Sequence, residues 1–288
     1  MYARVKLLKL KLNMQEQIRE YLLWKSSYAP SASRSYRWPL LNIRKLESLA
    51  DVIEYKNSIE SKYSHSSVAY SMTVLRDFIK FLVANNYSTL PVSLIKVPRF
   101  LPKRRTVATQ DDVIKILNTF DENKFTELRN RVIIRLLSDS GCRVSELVDL
   151  NISDLENNTA LIKTKKTTSE RVIMWSNQTH KELNKYLGSR ICINSTEPLF
   201  ISMFPKSPRI TARQVERVVE IACRKAQLKK NLTPHSFRHG KAHNMLDRGA
   251  NVKEIQSVLG HSENNPRASF QYIRLGNHEQ KTILKKFV

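Results

Sequence analysis

Three prolines within twelve residues, followed at once by a basic run, divide this chain of 288 residues into two parts. The stretch PVSLIKVPRFLPKRR contains Pro91, Pro98 and Pro102 and ends in Lys103, Arg104 and Arg105. Proline fixes φ and removes a backbone donor, so a cluster of prolines interrupts regular structure and is typical of an extended linker. The sequence therefore predicts a domain over residues 1–97, a linker over residues 98–105 and a second domain over residues 106–288.

The first domain has the apolar spacing of packed helices. Leu75, Phe78, Ile79 and Leu82 follow the i, i+3, i+4, i+7 pattern of one buried helix face. An earlier helix is predicted over residues 15–24. Another is predicted between residues 33 and 49, where Pro39 should either break the helix or mark its true start.

The second domain is predicted to be mostly helical with a small β element. Residues 160–164 and 171–176 are rich in β-branched residues and flank a polar turn, which indicates a hairpin with lysines at its tip. Later helices are predicted over residues 212–226, 234–248 and 252–259, with Gly249 and Gly260 as C-terminal stops. The predicted fold class is mainly α with a small β-sheet.

The charge of the chain indicates a polyanionic partner. Its net charge is +23, with +12 on residues 1–110 and +11 on the remainder. An excess spread over both domains favours nucleic acid, although a merely basic protein is the alternative. In the first domain, basic side chains that could face DNA phosphates, or simply form a solvated helix face, are Arg34, Arg37, Arg44 and Lys45.

Other features narrow the class of protein. Cys142, Cys192 and Cys223 are isolated, which fits a reducing compartment and ordinary packing better than a disulfide framework. No apolar run reaches the roughly 18 residues of a membrane span, and the N-terminal stretch lacks a signal peptide's apolar core. We therefore expect a cytoplasmic, DNA-associated protein. No carboxylate cluster suggests a metal site and no glycine-rich loop suggests ATP binding, so we expect no cofactor.

The stretch TPHSFRHG is the first of four segments that could carry chemistry. Thr233 is a plausible N-cap, and Pro234 suits the first helical position because its missing N–H would be unpaired there. His235 and Arg238 then share one face at the helix N-terminus, where the helix dipole already attracts anions. These residues predict a pocket for a phosphate group.

The other three segments are weaker signals when taken singly. In SGCRVSEL, Gly141 ends an apolar helix, and Arg143 has Glu146 three residues later, either as the partner that aims it or as a structural ion pair. The hairpin turn carries Lys163, Lys165 and Lys166, which could reach a ligand or simply be exposed. In LGHSENNPRASFQY, His261 precedes a predicted helix start that leads to Tyr272, the only tyrosine after Tyr186.

Taken together, the four segments have a specific order: an arginine in GxRxSEL, a lysine on a hairpin, HxxRH, and then LGH before a tyrosine. With these motifs in this order, the sequence resembles the tyrosine recombinase family of integrases and Xer-like enzymes. The resemblance covers roughly residues 106–275. It is weaker but consistent over residues 13–97, which look like the family's helical core-binding domain. It implies a site-specific recombinase that cuts and rejoins duplex DNA through a 3′-phosphotyrosyl intermediate and a Holliday junction, without metal or ATP.

The resemblance also implies roles for single residues. Arg143 and Arg238 match the two arginines that clamp the scissile phosphate, His235 and His261 match the two active-site histidines, and Glu146 matches a supporting acid. Lys166 best matches the hairpin lysine that acts as general acid, with Lys165 as its rival. Tyr272 matches the nucleophile. Basic residues placed against DNA outside this set are Lys103, Arg104 and Arg105 of the linker and Lys165 of the hairpin.

Two departures from the family pattern stand out. The family tyrosine commonly lies nine residues after the LGH histidine, but that position here is Phe270, and Tyr272 lies eleven residues after it. We interpret this as a loop insertion, since phenylalanine has no nucleophilic oxygen. The usual Gly-Lys-Gly turn is replaced by residues 165–167, Lys-Lys-Thr.

The resemblance further implies double-stranded DNA with inverted-repeat-type core sites as partner. Four protomers would act on two sites, and the free protein would be a monomer or weak dimer. The biological task would be integration or excision of a mobile element, or Xer-like resolution. The alternatives are a type IB topoisomerase-like enzyme and a catalytically silent DNA-binding protein.

Overall fold

The computed structural model describes residues 13–99, 105–163, 170–190, 194–203 and 208–260. The chain divides into two compact units, Met1–Lys103 and Arg104–Val288, and the division falls inside the basic linker expected over residues 98–105. The fold is mainly helical with one small antiparallel sheet in the described residues, so the predicted fold class is confirmed. None of the described helices is both long and apolar enough to cross a membrane.

The N-terminal unit is built from helices. They are α1 (Met14–Tyr28), α2 (Pro30–Leu41), α3 (Leu49–Glu60) and α4 (His65–Ala84), followed by a 3₁₀ turn, Val92–Leu94. Capping boxes begin α1 and α3, in which Asn13 and Ser48 accept from the third helical N–H. The predicted stripe of α4 is confirmed, because all four of its side chains are at most 1% exposed.

Pro39 neither breaks its helix nor marks its start, so both alternatives predicted from the sequence are wrong. Helix α2 begins at Pro30 and continues through Pro39 to Leu41. Pro30 takes the first helical position, where a missing N–H costs nothing, and Pro39 lies in the last turn, where only a short length of helix follows the lost bond. The carbonyl of Pro39 accepts a 2.7 Å hydrogen bond from the buried Tyr55 hydroxyl, which holds this end of α2 against α3.

The C-terminal unit surrounds one apolar helix. Its helices are α5 (Gln110–Leu117), α6 (Phe125–Ser140), α7 (Val144–Asp149), α8 (Asn177–Gly188), α9 (Ala212–Lys225), α10 (Pro234–Asp247) and α11 (Val252–Leu259). Helix α6 lies at the centre, and its Val132, Ile133, Ile134, Leu136 and Leu137 are all fully buried. The helices packed against α6 include α8 and α10. This places the end of α6 beside the start of α10.

The sheet confirms the predicted hairpin and adds a strand. Strands β2 (Thr159–Lys163) and β3 (Glu170–Met174) pair antiparallel, with Ala160 opposite Ile173, and the short β1 (Leu155–Glu156) pairs with β2. Strand β1, helix α3 and helix α8 lie outside the elements predicted from the sequence. Cys142 and Cys223 are buried free thiols, and Cys192 lies outside the described residues.

Candidate active site

Arg238 lies where three segments of the C-terminal unit meet. These are the turn after α6, the first turns of α10 and the last turn of α11. The Arg238 side chain is 1% exposed, and its guanidinium donates to the carbonyl of Gly141 at 2.9 Å and to the carbonyl of Leu259. Because buried charge is costly without hydrogen bonds, these carbonyls hold both the arginine and the three segments in place.

Arg143 sits beside it as the N-cap of α7, as the sequence indicated. Its Nη1 donates to Oε1 of Glu146 at 2.7 Å, and its Nη2 donates to the carbonyl of Gly260 at 2.9 Å. The Glu146 carboxylate also accepts from the Arg143 backbone N–H at 2.7 Å. The Arg143 side chain remains 40% exposed. The ion pair is therefore structural and also aims an accessible guanidinium.

Arg171 is a member of this network that the sequence did not point out. It stands on β3, donates through Nη2 to Oε2 of Glu146 at 2.6 Å and through Nη1 to the carbonyl of Val258 at 2.7 Å. Burial acts to raise the pKa of Glu146, but the hydrogen bonds from Arg143 and the charge of Arg171 outweigh it and lower that pKa. Glu146 is thus held as a carboxylate between two arginines.

Two glycines let these segments approach closely. Gly141 and Gly260 have φ of +63° and +62°, in the left-handed region that favours glycine. A Cβ on Gly141 would lie 2.9 Å from Cδ2 of Leu259, and a Cβ on Gly260 would lie 2.7 Å from Cδ of Arg171. Both predicted helix stops are therefore also contact points of the site.

His235 and His239 form a pair on α10. Their ring centroids are 4.4 Å apart at a steep angle, with His235 exposed and His239 buried. Nη1 of Arg105 lies 2.9 Å from Nε2 of His235 and 3.1 Å from Nε2 of His239. Desolvation, then the charges of Arg105, Arg238 and Arg143, lower the pKa of His235. Desolvation, the neighbouring histidine and the arginines lower the pKa of His239 to about 3.

The predicted site residues therefore fall into three groups. The structure brings Arg143, Glu146, His235 and Arg238 together, and it also brings Arg105, predicted as a DNA contact, to this group through His235. It places Arg34, Arg37, Arg44 and Lys45 as exposed side chains of the N-terminal unit, with Lys45 paired to Glu47 at 3.1 Å. The remaining predicted residues, Lys103, Arg104, Lys165, Lys166, His261 and Tyr272, lie outside the described residues.

The sequence of the C-terminal unit matches a known family. The model of the phage integrase family matches residues 106–274, which is more than half of the chain and includes Arg143, His235 and Arg238. The chain belongs to the phage integrase family. It is a tyrosine site-specific recombinase.

Curated proteins similar to this recombinase also include tyrosine recombinases. It is 34% identical over 209 residues to the tyrosine recombinase XerC of Thermodesulfovibrio yellowstonii, which covers 69% of this chain and 68% of the relative. It is 28% identical over 234 residues to the tyrosine recombinase XerD of Staphylococcus epidermidis, covering 79% of this chain and 77% of the relative.

Solved structures share the fold of the recombinase. A λ integrase dimer bound to a COC′ core site has a TM-score of 0.74 at 17% identity, over 94% of this chain and 79% of that chain. The XerH recombinase bound to difH in a post-cleavage complex has a TM-score of 0.72 at 19% identity, over 93% of this chain and 83% of that chain. These likenesses extend across both units, so the N-terminal helices also belong to the shared architecture.

Proposed function

We propose that this recombinase cuts duplex DNA with Tyr272 and rejoins it through a 3′-phosphotyrosyl link. The Tyr272 phenol gives its proton to an active-site histidine as its oxygen attacks phosphorus. The bond from phosphorus to the 5′-oxygen breaks, and the leaving 5′-oxygen takes a proton from Lys166, with Lys165 as the rival donor, and becomes a 5′-hydroxyl. Attack by the 5′-hydroxyl of another strand then reverses the step and releases the tyrosine. The phosphotyrosyl link conserves the energy of the broken phosphodiester bond, so no external energy source is needed.

The observation that carries the proposal is the meeting of two arginines and a histidine from two separate segments, the start of α7 and the first turns of α10. Arg143 and Arg238 would neutralise the charge that develops on the phosphorane, and planar guanidinium groups suit that task. Arg143 is accessible as it stands. Arg238 is buried against two carbonyls that hold its guanidinium in place, and we propose that DNA binding makes this guanidinium accessible to the phosphate.

The other roles follow the same chemistry. His235 lies one helical turn before Arg238 on α10 and would handle protons at the phosphate together with His261. Glu146 would act indirectly, because both oxygens of its carboxylate are held by Arg143 and Arg171. No step of this scheme uses a metal or a nucleotide cofactor.

Double-stranded DNA is the proposed partner, with inverted-repeat-type core sites. The net charge of +23 and the exposed Arg34, Arg37, Arg44 and Lys45 support contact with DNA by the N-terminal unit, and Lys103, Arg104 and Lys165 would add contacts. Solved neighbours include a λ integrase tetramer bound to a Holliday junction. We propose the same assembly here, formed from monomers or weak dimers on two sites, at the DNA of the cytoplasm.

Two biological tasks fit this chemistry. The Xer-named relatives favour resolution of DNA, and the match to the phage integrase family favours integration or excision of a mobile element. Both tasks use the same cleavage step.

A covalent trapping assay tests the proposal. Purified protein is mixed with nicked suicide duplexes tiled from the DNA beside its own gene and run on a denaturing gel. Wild-type protein should give a slow protein–DNA band, and Tyr272→Phe should give none. Tyr63→Phe removes the hydroxyl of a partly exposed tyrosine in the N-terminal unit and should behave as wild type. A band that persists in Tyr272→Phe would assign the nucleophile elsewhere, and tight binding without any band would favour a silent DNA-binding protein.

A further inference from the structure

We propose that Arg105 is a positioning residue of the active site, which holds His235 and His239 uncharged through hydrogen bonds to their Nε2 atoms. The residue ends the basic linker, where the sequence predicts only a contact with DNA. The inference rests on the proposed function, since Arg105 would set the protonation state of His235 beside the phosphate. It extends that function by adding Arg105 to the arginines of the site.

The contact fixes the form of both imidazoles. Nη1 of Arg105 lies 2.9 Å from Nε2 of His235 and 3.1 Å from Nε2 of His239. Because a guanidinium can only donate, each Nε2 must present a lone pair to accept the hydrogen bond. A charged imidazole carries N–H on both nitrogens and has no such lone pair. Each ring that accepts from Arg105 is therefore neutral and carries its proton on Nδ1.

The surrounding charges also favour the neutral form of both imidazole rings. Those acting on His235 come from Arg105 before α5, from Arg143 at the start of α7 and from Arg238 on its own helix, and all three are positive. His239 faces His235, Arg105, Arg238 and His243. Each of these groups lowers the pKa of the ring on which it acts. A proton on His235 or His239 is therefore disfavoured by both the hydrogen bond and the field.

The position of Arg105 is built into the fold. The N–H of Ala108 donates to the carbonyl of Ser236 at 3.1 Å, and Nζ of Lys230 donates to the carbonyl of Val107 at 3.0 Å. Gly240 allows this approach, since a Cβ there would lie 2.2 Å from the carbonyl oxygen of Ala108. Residues 105–108 thus lie against α10, and the glycine that ends TPHSFRHG serves to seat the arginine that reaches the histidine of the same motif.

A consequence for the reaction follows. With Arg105 in place, His235 enters cleavage uncharged over the whole neutral range, so cleavage should not depend on the titration of this ring. Without Arg105 the pKa of His235 should rise towards its ordinary value, because one positive charge and the hydrogen bond to the neutral form are both lost. The cleavage rate should then acquire a dependence on pH in the range where the free imidazole titrates.

The first test reads the histidines directly in the full-length protein without DNA. Protein labelled at its histidine side chains is titrated by NMR, and His235→Gln and His239→Gln assign the two rings. Arg105→Ala should raise the pKa of both rings by about 1 unit, whereas Arg213→Ala, which removes an exposed arginine paired to Glu216, should leave both unchanged. If the pKa of each ring is the same in Arg105→Ala as in wild type, the proposal is overturned.

A second variant moves Arg105 without removing it. Gly240→Ala should push the carbonyl of Ala108 off α10, separate Arg105 from the histidines and raise their pKa in the same direction. If the rings titrate as in wild type, the seating of residues 105–108 does not position Arg105 and the proposal fails.

The same variants are then assayed for cleavage as a function of pH. Arg105→Ala should lose activity as pH falls through the raised pKa of His235, while wild type keeps its rate. A profile that is parallel to wild type would show that Arg105 does not act through His235. Failure of Tyr272 trapping would overturn the proposed function but would leave the NMR result standing, so the two failures are distinguishable.

Discussion

The two units of this recombinase bury different kinds of side chain. In the described part of the N-terminal unit, residues 13–99, the one buried polar residue is Ser71, and the core is aromatic and aliphatic. In the described part of the C-terminal unit, buried polar and charged residues include Arg129, Glu146, Glu182, Arg238 and His239. The burial of charge is costly unless each group is hydrogen-bonded. Three of these five, Glu146, Arg238 and His239, belong to the candidate active site, so the unit that carries this site is also the one that buries charged side chains.

The largest expected difference is between two buried arginines of the C-terminal unit. Arg238→Ala should slow cleavage by on the order of 10²–10³, as expected for loss of one preorganised donor. Arg129→Ala removes a guanidinium that donates to the carbonyl of Ile201 at 2.7 Å, away from the site. It should cost about 1–3 kcal/mol of stability and leave the cleavage rate constant unchanged.

Single-turnover cleavage at a temperature where circular dichroism shows both variants folded measures this difference. Equal losses of rate in the two variants would mean that Arg238 acts only on the stability of the unit.

Glycines give a smaller contrast within the same unit. Gly260→Ala forces a side chain into the left-handed region and against Arg171, so it should cost about 1–3 kcal/mol. Gly188→Ala at the end of α8 meets nothing within 4 Å and should be neutral or slightly stabilising. Urea unfolding of both variants measures the two effects. Stability changes of the same sign and size would contradict the close approach at Gly260.

Mild acid should lower the stability of the C-terminal unit more than the stability of the N-terminal unit. The pKa of His239 is lowered to about 3, so its contribution to stability is complete above the ordinary histidine pKa and is lost as pH falls from there towards 3. One such group gives a slope of at most about 1.4 kcal/mol per pH unit. Between pH 6 and pH 5 the C-terminal unit should weaken, while the lowered pKa of Asp77 keeps the partly exposed ion pair of Lys25 and Asp77 in the N-terminal unit intact.

Tryptophan fluorescence reads the units separately. Trp175 reports the C-terminal unit and Trp24 and Trp38 report the N-terminal unit, so variants with phenylalanine at the other positions give unit-specific urea curves. The Trp175 midpoint should fall on acidification, and less so in His239→Gln. Equal falls of the two midpoints would contradict the difference in buried charge.

The smallest effect is expected in the N-terminal unit. The buried Tyr21 hydroxyl donates to Oδ2 of Asp77 at 2.8 Å, and Lys25 pairs with the same oxygen at 2.6 Å. Tyr21→Phe should cost about 1 kcal/mol, because Asp77 keeps its lysine. The rate of cleavage at saturating protein should stay that of wild type, and a change in that rate would link this cluster to the chemistry.

Local signals were enough to predict much of the fold and half of the site. The stripe of α4, the capping box of α5, the Gly141 stop and the start of α10 are each set by residues within a few positions of one another. The missed helix α3 carries the same kind of signal, since Val52, Tyr55 and Ile59 are buried at helical spacing. Such elements are readable from sequence because their causes are local.

The rest of the site depends on contacts across the chain. Arg105 and His235 are 130 residues apart, and Arg171 meets Val258 across 87 residues. Spacing within a segment says nothing about such meetings, and Arg171 looks like any charged strand residue until β3 is placed beside α11. The arginine after His235 was predicted, but its burial against two carbonyls was not, because that follows from the packing of α6, α10 and α11.

The most direct test of the account asks whether Arg143 and Arg238 neutralise charge on the scissile phosphate. Suicide duplexes with either a normal phosphate or an uncharged methylphosphonate at the cleaved position are compared in single-turnover cleavage by wild type, Arg143→Ala and Arg238→Ala. The account predicts that each variant cleaves the methylphosphonate at least about 10-fold faster, relative to wild type, than it cleaves the phosphate. Variants that remain equally impaired on the uncharged duplex would contradict it.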